Sequence, residues 1–157
     1  MVIHDRNILV VVAQVDSPGY WNVSVHVGSR IDLINTGSGH VFLAFAGEEE
    51  RALMLAEQGG AEPAILSPQL LTRLARVRQK GYEIMESQQV ASVTNLSVPI
   101  FGPLGTVIAA VTCPYTVRLG KLDAPDQAAS VELLIAAGHE ISARTSLNDA
   151  SLHRPPA

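Results

Sequence analysis

The sequence predicts an α+β domain in which helices flank an antiparallel sheet of about five to six strands. Two strand-like segments come first, followed by several helical segments, three further strands and a closing helix, and this order favours an antiparallel sheet covered by helices. A helical stripe at 67–80 stops at Gly81, and a strand follows. Two apolar segments, 93–101 and 106–113, are joined by Gly102–Gly105 and should be antiparallel neighbours.

The composition is that of one compact domain. A chain of 157 residues can bury a sizeable core but is short for two ordinary domains. A net charge of -4, with 47% hydrophobic and 17% charged residues, argues against a disordered or nucleic-acid-coating protein. The single Cys113 excludes an internal disulfide, and the chain start lacks the apolar core of a signal peptide. These two observations favour a cytoplasmic location. No apolar run approaches the ~20 residues that cross a bilayer, which argues against membrane insertion.

The first part of the chain contains a predicted hairpin and a glycine-rich turn. Residues 8–15 are rich in Val, residues 16–19 carry a strong turn signal, and residues 21–27 alternate apolar with polar side chains. This pattern predicts a hairpin with one buried face. After a short strand or loop at 31–34, the turn at 35–39 opens a short helix. A second helix, which starts with glutamates, should end near the following glycine pair.

The helix at 67–80 has recognisable signals at both ends. Ser67 is a typical N-cap, Pro68 suits the first helical position, and Gly81 suits the left-handed residue after the last turn. Four cations occupy the second half of the helix: Arg73, Arg76, Arg78 and Lys80. They complement the negative end of the helix dipole, which favours a solvated helix face. The alternative is a nucleic-acid patch, which the acidic balance of the chain disfavours.

The closing segment is predicted to be helical and then disordered. Asp123 and Pro125 should open a helix with an apolar stripe. Beyond it, the tail at 145–157 is polar and ends in two prolines followed by alanine, so we expect disorder there. The predicted domain therefore covers residues 1–144.

Several segments resemble the effector-binding domain of IclR-type transcriptional regulators. These segments are Asn35–Leu43, Leu74–Tyr82, Ser97–Ile100 and Gly105–Val111. The most specific signal combines an arginine in the helix, the Gly81–Tyr82 pair that follows it and the spacing to the paired strands. The resemblance spans roughly residues 7–144.

The resemblance implies a fold similar to the GAF domain and a role in sensing a small metabolite. In this family such a domain follows a winged helix-turn-helix domain and takes part in dimer or tetramer assembly. Nothing before Asn7 could hold a helix-turn-helix. We therefore expect a homo-oligomer that would contact DNA only through a separate N-terminal domain.

The resemblance also implies a ligand pocket between the glycine-rich turn and the last strands. The corresponding residues are Gly37, Ser38, Met85, Asn95, Thr112 and Pro114. A Gly-Ser-Gly loop that opens a helix independently offers unpaired N–H groups and a positive dipole end, both of which favour a carboxylate. The alternative is an ordinary helix cap made by Asn35, Thr36 or Ser38.

Strand periodicity adds Ser97 to these candidates. Alternation places two sets of side chains each on one strand face: Asn95, Ser97 and Pro99, and Ala110, Thr112 and Pro114. Polar groups among apolar ones are typical of a ligand pocket. The alternative is that this face is the solvent side of the sheet.

The chain departs from the family at positions that bear on the ligand. Met85 stands at a pocket position that is acidic in better-understood members, and Pro114 replaces a hydroxyl residue. Ser92 replaces a common glycine. We therefore predict a larger or more apolar organic acid than the small keto acids of some relatives.

Other functional classes have weaker support in the sequence. Cys113 ends an apolar strand without a local feature that lowers a thiol pKa, so we interpret it as a small hydrophobic residue rather than a nucleophile of a hydrolytic enzyme. The histidines lack metal-ligand spacing, and the glycine turn lacks a phosphate-loop signature, so no cofactor or metal is predicted. His40 is either a helix-surface residue or a group that supports the pocket. A ligand-free oligomerisation or interaction module stays open as an alternative function.

Overall fold

The computed structural model describes residues 1–6, 8–16, 23, 25–58, 66–117 and 124–152. Within these ranges the strands are β1 (Val2–Asp5), β2 (Ile8–Val11), β3 (Arg30–Ile31), β4 (Glu83–Glu86), β5 (Thr94–Phe101) and β6 (Val107–Tyr115). The helices are α1 (Gly37–Phe45), α2 (Glu48–Gln58), α3 (Pro68–Lys80) and α4 (Gln127–Leu152).

All six strands form one antiparallel sheet in the order β3-β2-β1-β6-β5-β4. Helix α1 packs on one face of β4, β5 and β6, and α3 packs behind α1. Helix α4 covers the other face, where Gly138 lies against Val98. The predicted α+β architecture with helices around a sheet of five to six strands is confirmed.

The first hairpin differs from the predicted one. It joins β1 to β2, with Val2 opposite Val11 and Asp5 opposite Ile8. The predicted partner segment is not a strand in its described part, where Val25 and Val27 are 41% and 62% exposed. Residues 17–22 and 24 of the predicted hairpin lie outside the described residues.

The segment that pairs with the other edge of β2 is 28–31, which follows the predicted partner segment. Val11 exchanges backbone hydrogen bonds with Gly28 and Ser29, and β3 then continues the pairing. Gly28 has φ +89°, which suits the turn into this return. In its described part, 23 and 25–27, the alternating pattern was therefore wrong as a strand signal, because β2 takes its partners from the chain start and from 28–31.

Both predicted ends of α3 are confirmed. The Ser67 hydroxyl accepts the Leu70 N–H, and Pro68 is the first helical residue. At the other end Gly81 has φ +86° and donates its N–H to the Val77 carbonyl. Leu74 and Val77 are buried, whereas the cations occupy more exposed positions. These local signals position β4, which begins two residues after Gly81.

A tight turn sets the entry to α1. The Asp32 side chain accepts the N–H groups of Ile34 and Asn35, and Thr36 then caps the helix by accepting the Gly39 N–H. A side chain at residue 39 would overlap the Leu33 carbonyl oxygen. Glycine is therefore required at this position for the helix to start so close to the preceding turn.

Helix α4 begins later and extends further than the sequence pattern suggests. Asp126 accepts the Ala129 N–H at 2.8 Å and so acts as the N-cap, while Asp123 lies outside the described residues. The helix continues through 145–152, part of the predicted disordered tail, and residues 153–157 lie outside the described residues. Thr145 donates to the Ile141 carbonyl, and 145–152 contains neither glycine nor proline to stop the helix.

Candidate functional site

The register of the last three strands aligns the predicted site residues in two rows. One row runs across the sheet through Glu83, Ser97 and Thr112, and the adjacent row runs through Met85, Asn95 and Pro114. Residues two apart on a strand face the same side, so both rows lie on the face that α1 covers. The structure thus brings the five predicted residues of the strands together on one surface.

A chain of three hydroxyl groups joins α1 to this surface. The Thr112 hydroxyl lies 2.8 Å from the Ser38 hydroxyl and 2.8 Å from the Ser97 hydroxyl. Three hydroxyls carry three protons, and the two bonds among them use two of these. At least one proton is therefore available to donate to a further acceptor.

The first residues of α1 add backbone donors at the same place. Thr36 satisfies only the Gly39 N–H, and among the described residues no partner accepts the N–H groups of Gly37 and Ser38. A methyl group at residue 37 would lie 2.6 Å from the Ser97 oxygen. Gly37 therefore allows the positive end of the helix to approach the hydroxyl chain closely. The predicted cap by Thr36 and the free N–H groups coexist.

The first row is more buried than the second, since Glu83 and Ser97 are buried and Thr112 is half-buried. Ser97 is fully buried and Ser38 is 4% exposed, so the alternative interpretation of this face as the solvent side of the sheet is wrong. In the second row Met85 is buried, whereas Asn95 and Pro114 are half-buried. The polar row therefore lies beneath the start of α1, and the second row leads from it towards the surface.

A buried ion cluster lies beside the hydroxyl chain. Glu83 Oε2 lies 2.7 Å from His40 Nδ1 and 2.8 Å from Arg73 Nε. The other carboxylate oxygen accepts the Ile84 N–H at 2.9 Å. His40 is 3% exposed, so its interpretation as a helix-surface residue is wrong. His40 follows Ser38 by two residues and supports the site from within α1.

Hydrogen bonds and neighbouring charges favour the ionised form of the Glu83 carboxyl. Burial by itself would raise the pKa of the Glu83 carboxyl, but the hydrogen bonds and positive charges of His40 and Arg73 outweigh it and hold the pKa below its ordinary value. His40 Nε2 lies 2.8 Å from the Ile34 carbonyl, an acceptor only. The His40 ring thus spans the Glu83 carboxylate and the Ile34 carbonyl, and the Arg73 guanidinium pairs with the same carboxylate.

Glu83 was missed by the sequence interpretation. An acidic residue in a short strand is ordinarily placed on the exposed face, yet here Glu83 is buried and Ile84 is 36% exposed. One signal was available, since the prediction of Met85 as an inward residue also turns Glu83 inward. Its partners His40 and Arg73 could not be identified, because only the fold brings them to the same carboxylate.

Neither the thiol nor the metal-ligating side chains form a competing centre in the described part of the chain. Cys113 lies on the opposite face from Thr112 and Pro114, and burial raises the pKa of its thiol. Within the described ranges no group of three or more His, Cys, Asp or Glu residues could hold a metal ion. None of the helices there has the length and apolarity to span a membrane.

Comparison with known proteins identifies the family. The sequence profile of the bacterial transcriptional regulator IclR C-terminal domain matches residues 1–143. The HTH-type transcriptional regulator KdgR of Escherichia coli is 27% identical over 150 residues, covering 92% of this chain and 56% of that protein. The AllR repressor of Salmonella typhi is 27% identical over 116 residues, 71% of this chain and 43% of that protein. The chain thus spans about half the length of these relatives.

Solved structures show the same fold. An IclR-type regulator from Alicyclobacillus acidocaldarius superposes with a TM-score of 0.73 at 21% identity, covering 92% of this chain and 59% of that one. The inducer-binding domain of the PobR transcription factor from Acinetobacter, a double mutant in complex with 3-hydroxybenzoic acid, has a TM-score of 0.67 at 26% identity. That match covers 90% of this chain and 85% of the PobR domain. The chain therefore belongs to the IclR family of bacterial transcriptional regulators and corresponds to their C-terminal, effector-binding domain.

Proposed function

We propose that this domain senses a small organic acid that binds at the start of α1. The proposal rests on a cluster of hydrogen-bond donors at the N-terminal end of α1. The free N–H groups of Gly37 and Ser38 lie there beside the hydroxyl chain around Thr112. A carboxylate would accept several of these donors and would also interact favourably with the helix dipole.

The second row of the site suggests the class of acid. Met85 and Pro114 would contact the body of the ligand, and the Asn95 amide between them would orient it. Apolar contacts with one placed amide suit an aromatic or branched acid better than a two- or three-carbon keto acid. The PobR domain holds 3-hydroxybenzoic acid in its crystal structure, which supports an aromatic acid as the first ligand to test.

The regulatory role follows from the family. A ligand that binds one arrangement of a homo-oligomer better than another shifts the balance between them. We propose that this shift changes how a separate DNA-binding domain is presented in the cytoplasm. The curated relatives are longer than this chain, which spans 40% to 56% of their length, and their DNA-binding function comes to this chain only through such a domain.

Thermal unfolding with a panel of acids tests the proposal. 3-Hydroxybenzoate and a branched keto acid should raise the unfolding midpoint more than pyruvate or glyoxylate, because a ligand that binds only the folded state adds about 2.7 kcal/mol at a hundred times its Kd. Thr112→Val removes the central hydroxyl with little change in shape, and Asn95→Leu removes the orienting amide. Each should lose most of the ligand-induced shift, while Thr106→Val in the exposed β5–β6 turn should keep it.

Three results would contradict the proposal in different ways. A larger shift with pyruvate than with any aromatic or branched acid would overturn the ligand class. An equal shift in all variants would place the ligand elsewhere. No shift with any acid, together with self-association seen by light scattering, would favour the ligand-free interaction module. Cys113→Ala should leave the shift unchanged, since the thiol faces away from the site.

A further inference from the structure

A cavity apart from the proposed effector site lies beside the edge strand β4. It has a volume of about 520 Å³ and is formed between α3 and the start of β4. None of the predicted effector-site residues lines it. Its size falls within the roughly 300–1,000 Å³ of small-molecule sites. Its charged lining residues are Arg73, Arg76, Lys80 and Glu83.

The cations of this cavity are only partly neutralised. Arg73 donates its Nε and one terminal nitrogen to Glu83 and to the Ile84 carbonyl. Its second terminal nitrogen has no partner among the described residues. Arg76 and Lys80 likewise form no ion pair or hydrogen bond with any residue that the structure describes. Because Glu83 offsets Arg73, the cavity presents two uncompensated positive charges.

The helix dipole does not account for this arrangement. Only Arg78 and Lys80 lie in the last turn of α3, where a cation complements the dipole. Arg78 turns away from the cavity and donates to the Ala44 carbonyl at 3.0 Å. Arg73 and Arg76 precede the last turn, yet they face the same cavity as Lys80. Residues three and four apart on a helix are neighbours, so these cations form one continuous strip.

Neutral donors complete the lining. Tyr82 and Gln69 both border the cavity, and neither side chain has a hydrogen-bond partner within the described ranges. Val77 and Ile84 provide apolar walls. Guanidinium and ammonium groups beside neutral donors are suited to phosphate or carboxylate oxygens. A long nucleic acid is less suitable, since the positive strip is confined to one concave region of a domain with net charge -4.

We propose that the cavity between α3 and β4 is a second ligand site for a small molecule with two or more negative charges. Such a charge arises from phosphate groups or from several carboxylates, and both would satisfy Arg76 and Lys80. The cavity shares Arg73 and Glu83 with the ion cluster beside the start of α1, but its two uncompensated charges, Arg76 and Lys80, take no part in the effector proposal. Its failure would leave the site at the start of α1 unaffected.

Calorimetric titration with inorganic pyrophosphate and with citrate, at low ionic strength, tests this site. Arg76→Gln/Lys80→Gln removes both uncompensated charges from exposed positions and should weaken binding at least tenfold. Arg30→Gln/Arg144→Gln removes the same charge from exposed positions on β3 and α4 and should stay within twofold of the wild type. Thr112→Val, which alters the site at the start of α1, should also bind normally.

The two probes distinguish the source of the charge. Binding of pyrophosphate alone supports a phosphorylated ligand, binding of citrate alone supports a polycarboxylate, and binding of both supports recognition by charge density. Equal weakening in the two double variants would mean that only net charge matters and would overturn the site. The absence of binding by either probe at millimolar concentration would overturn it as well.

Discussion

The two faces of the β4–β6 sheet are built from different chemistry. The α1 face buries Ser38, His40, Glu83 and Ser97, which form hydrogen bonds and ion pairs beneath the start of the helix. The α4 face buries Leu96, Val98 and Ile100, and Gly138 lets α4 approach within van der Waals distance of Val98.

Under the proposed function, this difference separates a face that responds to a ligand from a face that supports the fold. Buried apolar side chains contribute through contact area and depend little on pH or on charged ligands. Buried polar groups are stable only when all their hydrogen bonds are made. A ligand or a proton that changes one of these bonds therefore changes the energy of the whole network. A sensor that responds to an acid requires buried polar groups next to an apolar core.

The largest effects are expected from truncations on the two buried faces, and Glu83→Ala is the one on the polar face. The variant leaves His40 and Arg73 without their carboxylate, and loss of one partner of a buried ion pair costs about 3–5 kcal/mol. Arg73 is 41% exposed, so we expect a value near the lower end, about 3 kcal/mol. Urea unfolding measures this loss. Glu86→Ala, an exposed position on the same strand, is the matched control, and equal losses would contradict a structural role for the ion cluster.

A comparable loss of folding stability, with no change of charge, is expected for Ile100→Ala on the apolar face. Ile100 is 1% exposed, and truncation of such a side chain costs about 2–5 kcal/mol through lost contacts and a cavity. We expect Ile100→Ala to lower the free energy of unfolding without altering its dependence on acid pH. Ile108→Ala, which is 41% exposed on β6, should cost much less. A changed pH profile in Ile100→Ala would mean that the two faces are coupled.

A smaller effect is expected for Gly37→Ala, at the point where the start of α1 packs on the sheet. Gly37→Ala forces a methyl group against the Ser97 hydroxyl and should cost about 1–3 kcal/mol by overpacking. It should also weaken the stabilisation by an organic acid, since it displaces the free N–H groups from the hydroxyl chain. Gly47→Ala has open space around the added methyl group and serves as the control. Thermal unfolding with and without ligand measures both effects.

The smallest effect concerns acid stability. The folded-state pKa of Glu83 lies below its ordinary value of about 4.5, so its stabilisation is fully present above that pH. As the pH falls below it, the unfolded chain binds a proton first, and the stabilisation is lost down to the folded-state pKa. Wild type should therefore lose stability more steeply than Glu83→Gln between about pH 5 and pH 3. Parallel curves would show that the ion cluster does not titrate as described.

Local signals were sufficient for several elements. The cap at Ser67, the left-handed Gly81 and the turn that joins β5 to β6 lie within a few residues of the structure that they determine. The alternation of Asn95 and Ser97 placed them on one face, and the cross-strand register with Thr112 and Pro114 confirmed it. These features depend on backbone preferences and short turns, which act the same way in any surroundings.

The sequence by itself therefore determined the α+β class, α3 and the paired strands of the site. Only the tertiary structure decided that β2 pairs with β1 and β3, because any apolar strand can satisfy its hydrogen bonds. It also decided that Glu83 is buried, since His40 and Arg73, 43 and 10 residues away, supply the donors that make burial of a carboxylate possible. Long-range charge pairing has no periodic signal in the sequence, and the site depends on it.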